Sequence, residues 1–217
     1  LLSASRWGHT AVAKLLIDNG AQVDASTRLG DTPLSWAAQY GHLEIVQLLI
    51  NNGADIPDSA LTHAAYMGKT AVVELLLNNG ANVDAEQDGK SALMLAAWFR
   101  REAIVTLLLE SGANVDTSNS YGQTALIMAV WGRNANIVEK LLSYEADANK
   151  QTNDGWTALM RAARRNNKDI VILLLDNGAD TTLTNNGGKT AEQLARQCGF
   201  TEVADIIKEA GQFVIIG

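Results

Sequence analysis

DTPLSWAAQYGHLEIVQLLINNGA, residues 31–54, reads as two short helices joined by a tight turn. Thr32 is a capping residue with Pro33 at the first helical position, where its missing N–H costs nothing, and Gly41 stops the helix. Leu34, Ala37 and Ala38 give that helix a face of small side chains. Ile45, Val46, Leu48 and Leu49 then recur at helical spacing, and Gly53 closes the second helix.

Working outward, the closing slot returns along the whole chain as Gly20, Gly53, Gly80, Gly112, Glu145, Gly178 and Gly211, at spacings of 33, 27, 32, 33, 33 and 33 residues. From each opener (Thr32, Ser59, Ser91, Thr124, Thr157, Thr190) to its closing slot the distance is always 21 residues. Length varies only in the connectors, which run 12 residues in most units, 11 after Gly80 and 6 after Gly53. A repeat of this length marks a stacked array, because one helix pair cannot bury its own apolar face.

These residues resemble the ankyrin repeat, whose pattern G-x-T-P-L-H-x-A-A-x-x-G-H-x-x-I-V-x-x-L-L-x-x-G-A-x-V-N is followed at 30–58, 89–117, 122–149, 155–182 and from 188 onward. The resemblance implies an all-α helical repeat solenoid of stacked helix-turn-helix units with β-hairpin-like connectors. It also implies one domain over 1–217, with units at about 1–29, 30–56, 57–88, 89–121, 122–154, 155–187 and 188–217. The finger after Gly53 is expected to be stunted or absent. Leu1 aligns with Leu34, so the chain is expected to start inside a first helix, as a fragment of something longer. The last unit reads as a cap, since Glu192 replaces the usual apolar residue, and the tail 211–217 reads as strand-like, folding back on the last helices.

Composition excludes several function classes. The net charge is −7, and no apolar run approaches the length of a membrane span. A single cysteine, Cys198, forbids an internal disulfide, and with no N-x-Ser/Thr sequon this points to a reducing intracellular setting, cytoplasmic or nuclear. Residues 84–89 imitate the start of a calcium loop, but Leu95 stands where the bidentate glutamate belongs. Residues 187–190 end like a phosphate loop, yet Leu183 occupies its first glycine position. His9 and His42 fall in the Gly-His corner between helices, where a backbone hydrogen bond is the expected role, and three scattered histidines with one cysteine build no metal site. No nucleophile, base and orienter fall together, so no catalysis and no cofactor are expected.

The family's variable positions carry the remaining signal. The two residues before the inter-helix turn, which the resemblance places in a concave groove, read Arg6-Trp7, Gln39-Tyr40, Tyr66-Met67, Trp98-Phe99, Trp131-Gly132, Arg164-Arg165 and Gln197-Cys198. Trp36, His63, Leu95, Met128 and Arg161 stand on the same helix face one step earlier, with Tyr121 and Trp156 on the fingers. Nine of the twelve aromatic residues thus map to one surface, of the types that dominate binding hot spots. Candidate partner-binding residues are Trp7, Trp36, Tyr40, Tyr66, Met67, Trp98, Phe99, Arg100, Tyr121, Trp131, Arg133, Trp156, Arg161, Arg164 and Arg165. Each aromatic could instead roof the gap between adjacent helices. The arginines favour an acidic, aromatic-containing peptide or protein loop, whereas extended nucleic acid would meet the acidic remainder of the molecule. A second reading is a sensor for a small phosphorylated or nucleotide-like ligand, its base on Trp98, Phe99 or Trp131 and its phosphate on Arg161, Arg164 or Arg165. Arg100, Arg133 and Asn166 occupy the inter-helix slot that is glycine in other units; a left-handed backbone there strains the arginines but is tolerated by Asn166, the alternative being drift or a helix-compatible turn without strain, and the same strain is expected at Glu145.

Overall fold

The computed structural model describes residues 1–213, of which Phe213 is placed by its backbone alone. Its helices run in consecutive pairs: α1 (Leu2–Trp7) with α2 (Thr10–Asp18), α3 (Pro33–Tyr40) with α4 (Leu43–Asn51), and α5 (Asp58–Met67) with α6 (Thr70–Asn78). Strands β1 (Glu86–Gln87) and β2 (Lys90–Ser91) follow, then α7 (Ala92–Trp98) with α8 (Glu102–Glu110) and α9 (Ala125–Gly132) with α10 (Ala135–Ser143). The last pairs are α11 (Ala158–Arg164) with α12 (Lys168–Asp176), and α13 (Ala191–Gln197) with α14 (Thr201–Phe213). The chain divides into two compact units, one of Leu1–Ala96 with Ala103–Ala113, the other of Ala97–Glu102 with the residues from Asn114 on.

Within each unit, first helices pack side by side and second helices form a row behind them. In the first unit α3 packs on α1 and α5, and α4 on α2 and α6; in the second, α11 lies against α9 and α13, and α12 against α10 and α14. Alanines make the close approach of the first helices possible: Ala37, Ala38, Ala64 and Ala65 in one unit, and Ala129, Ala162, Ala163 and Ala195 in the other, are all fully buried. The second helices contribute the apolar volume at i, i+1 and i+4, as Ile45, Val46 and Leu49 or Ile170, Val171 and Leu174.

First helices and second helices close the same way, the last second helix excepted. The residue after each left-handed position reaches back to a buried carbonyl: His42 N to Ala37 O and Asn167 N to Ala162 O after first helices, Ala54 N to Leu49 O and Ala146 N to Leu141 O after second helices. This bond consumes carbonyls that the helix leaves unpaired. It forces a positive φ, and Arg100 (59°), Arg133 (55°), Glu145 (62°) and Asn166 (56°) adopt it without being glycine. The strained slots expected from register are therefore real.

Openers also behave as expected in most pairs. The Thr32 hydroxyl accepts from Ser35 N at 3.1 Å and completes a capping box, and Thr124, Thr157 and Thr190 accept in the same position of their helices. Ser91 Oγ accepts from Met94 N. Ser59, read as the opener of its unit, is the exception. Pro57 is the extended residue before α5, so Ser59 lies inside the first turn, one step past Asp58. The chain from Ala54 to Pro57 holds no hairpin, as the short connector implied.

Fingers elsewhere are tight turns. Asp88 and Gly89, both at positive φ, turn β1 into β2, and Ser118 bridges Thr124. Successive fingers in the second unit are stitched together, since Asn153 N donates to Tyr121 O at 3.0 Å and Asn186 N to Asp154 O at 3.1 Å. A Cβ at Gly122 or Gly155 would meet the next finger's backbone at 3.0 Å or less, which explains glycine at those turns.

At the C-terminal end two expectations change. Gly211 does not close a helix, because α14 continues through it to Phe213, so 211–213 are helical rather than strand-like. The rest of the tail expected to fold back lies outside the described residues. The cap-like Glu192 is held by Arg196, which also pairs with Asp205, on the exposed side of α13 and α14.

Candidate functional site

The candidate residues form two aromatic–arginine groups, one in each unit. In the first unit Trp36 stacks on Tyr40, with ring centres 5.9 Å apart, and the guanidinium of Arg6 lies 4.6 Å from the Trp36 ring centre and 5.3 Å from that of Trp7. His42 continues the stack beside Tyr40 and hydrogen-bonds through Nε2 to the Arg6 carbonyl, the backbone role expected of the corner histidine. Arg6 was not among the candidates. Its signal was diagonal: a helix-end residue of one pair reaches the aromatic at the start of the next.

In the second unit the rings of Trp98 and Trp131 meet edge to face at 6.1 Å, and Phe99 leans on Trp98. Arg161 stands 4.9 Å from the ring centres of both Trp131 and Trp156. Arg164 lies over Trp156 at 5.3 Å. Arg165 covers Trp131 at 5.8 Å and donates from Nη1 to the Trp131 carbonyl. Cations over indole faces are held by the ring quadrupole, so three arginines and two tryptophans form one layer.

The Trp98–Trp131 contact depends on a glycine. A Cβ at Gly132 would stand 2.9 Å from the Trp98 carbonyl oxygen, so only glycine lets α9 run this close to the end of α7 and bring the two indoles together.

Burial sorts the candidates. Trp7, Tyr66, Phe99 and Tyr121 are exposed, Tyr121 by 68%, whereas Met128 is buried in the core, correcting its placement on the groove face. Trp36, Tyr40, Met67, Trp98, Trp131 and Trp156 are half-buried and both roof the helices and show an edge to solvent. Arg100 and Arg133 are exposed but make none of the ring contacts. The Arg100 stem lies beside Gly132, and Arg133 lines a separate recess with Asn166, Asn167 and Lys168.

Sequence reasoning missed Asp154. Sitting on a finger, it faces Arg161 at 3.6 Å, and its carboxylate also accepts the Thr152 hydroxyl. Burial lowers the Arg161 pKa, Asp154 opposes that, and Arg165 and Arg164 reinforce it. Burial likewise lowers His63 in the first unit, partly offset by Asp31 and Asp88.

The family model for ankyrin repeats (3 copies) matches residues 1–59, 57–119 and 126–215. The chain is an ankyrin repeat protein. No curated protein matches it. The ankyrin assignment accounts for the capped openers, the paired helices and the left-handed turns, and ankyrin repeats generally serve as protein–protein interaction modules. None of the described helices is long and apolar enough to cross a membrane, and the described residues hold no cluster able to bind a metal ion.

Proposed function

We propose that this ankyrin array binds an acidic, aromatic-bearing segment of a partner protein on the face that its first helices and fingers present, the concave side in the family. The contact centres on Trp98, Phe99, Tyr121, Trp131, Trp156, Arg161, Arg164 and Arg165. The observation that carries this reading is the state of Arg164 and Arg165. Both are exposed, both are braced on indole rings, and among the described residues neither has a carboxylate within ion-pair distance. Cations fixed in place before binding lose little side-chain entropy when an acidic partner arrives. Trp and Arg together are the residues that dominate interface energetics. Trp7, Trp36, Tyr40, Tyr66 and Met67 form a separate candidate surface on the first unit.

A nucleotide-like ligand is the weaker reading, because Arg161 and Arg165 already lie over the Trp131 ring and Trp98 packs against Phe99 and Trp131, so a base stacking there would have to displace them. The test is selection of a random peptide library on the immobilised chain. Peptides enriched in Asp, Glu and aromatic residues, lost on Arg164→Ala with Arg165→Ala, support the proposal. Enrichment without acidic preference removes it.

A further inference from the structure

The fingers 118–124 and 151–156 border an open recess of about 430 Å³, lined by Tyr121, Gln123, Trp131, Thr152, Asn153, Asp154 and Arg161. We propose that this recess receives the carboxylate of a partner Asp or Glu side chain on Arg161, and that Asp154 is an internal stand-in that the partner displaces. This deepens the preceding reading and rests on it.

Four observations argue for it. The Arg161–Asp154 pair is loose, at 3.6 Å, which is close enough for charge attraction and too long for a hydrogen bond. A guanidinium carries five N–H donors, yet that of Arg161 has no hydrogen-bonded acceptor among the described residues, and its Nε is buried with none. Trp131 lines the same recess, and its indole N–H is buried and unpartnered as well. Finally, exposure is one-sided: the Arg161 side chain is 16% exposed and lies between two rings, while that of Asp154 is 59% exposed on a finger, where the Thr152 hydroxyl is its other partner.

Charge selects the occupant. Arg161, Arg164 and Arg165 lie together and Asp154 is the one carboxylate paired with them among the described residues, so the surroundings stay net positive. Gln123 spends its carbonyl on Asn119, leaving its NH₂ to donate, and Tyr121 lines the same space. The unpartnered Arg161 Nε and Trp131 Nε1 on residues that line the recess, together with the positive surroundings, suit a carboxylate and disfavour a cation. A planar carboxylate can take two guanidinium N–H bonds at once, a geometry that the present pair does not achieve.

The experiment uses capped glutamate (N-acetyl-glutamate methylamide) as the probe and capped glutamine as control. The readout is the indole N–H resonance of Trp131, assigned by its loss in Trp131→Phe. Removing the internal competitor with Asp154→Asn should tighten capped glutamate binding by up to about fivefold, the size of a weak surface ion pair. Capped glutamine should shift nothing, and Arg161→Gln should abolish the response. Equal affinity of both proteins for capped glutamate, or an equal shift from glutamine, overturns the stand-in role. Peptide selection separates this from the broader reading. Acidic peptides that bind wild type and Asp154→Asn equally leave the acidic partner standing and end the role of Asp154. If no acidic peptides are selected, the broader reading falls and the recess with it.

Discussion

Asn134 and Glu102 are joined by a 2.8 Å hydrogen bond from the asparagine Nδ2 to the glutamate Oε1, linking the start of one second helix to the start of the one before it. The same asparagine accepts from Ile137 N at 3.2 Å, capping α10, and it is buried. Asn134 occupies the slot that is His9 and His42 in earlier units. One side chain thus replaces a histidine by doing two jobs, one within its helix and one toward its neighbour. Asn134→Ala is expected to cost about 2–4 kcal/mol, the sum of a lost cap and a lost charge-assisted bond. Chemical denaturation of the two proteins measures it, and an unchanged midpoint would refute the double role.

Glu145 bears a positive φ with its side chain exposed, while at the equivalent Gly20, Gly53, Gly80, Gly112 and Gly178 an added Cβ would meet nothing. Strain at Glu145 is therefore conformational alone. Glu145→Gly should stabilise the protein by about 1 kcal/mol, read as a higher Tm. A lower Tm would mean that the side chain contributes more than its backbone costs.

Gly132→Ala should act in the opposite direction. The added methyl meets a carbonyl oxygen at 2.9 Å rather than a flexible side chain, so the helices must separate. Overpacking of this kind costs about 1–3 kcal/mol. Tryptophan fluorescence should shift as well, because Trp98 and Trp131 lose their edge-to-face contact. Wild-type stability in the variant would contradict the close-approach argument.

His63 predicts a pH dependence. Burial lowers its folded-state pKa below the ordinary 6.5, so the unfolded chain takes up the proton first as pH falls. Its contribution is whole above the unfolded pKa and is lost as pH drops through 6.5 toward the folded value. The Tm of wild type should fall more between neutral and mildly acidic pH than that of His63→Gln. Parallel pH curves for the two proteins would remove His63 from the account.

Much of this was legible in the sequence because the repeat fixes register. Counting from Gly41 and Gly53 located the slots at Arg100, Arg133, Glu145 and Asn166, but only the structure decides between a left-handed backbone and a strain-free turn there, in favour of the former. Ser59 escaped the count because Pro57 starts its helix early, a local steric preference that overrides alignment. Gly211 escaped because nothing in residues 201–213 forces the helix to stop there. At the candidate site, residue types were readable but pairings were not. Asp154 and Arg161 come from a finger and a helix of the same unit, and their approach depends on how the finger folds back. Nor does the sequence say which aromatic is roof and which is surface: Met128 and Trp131 lie three residues apart, one sealed in the core and the other at the face.

The central claim is that fixed cations on indole rings recognise an acidic segment, and charge reversal tests it most directly. The same random peptide library is selected on wild type and on Arg164→Glu with Arg165→Glu, with the Tm of both proteins checked first. The account predicts acidic, aromatic peptides from wild type, whose binding weakens with added salt, and their loss from the reversed variant. The same acidic peptides recovered from both proteins would contradict it.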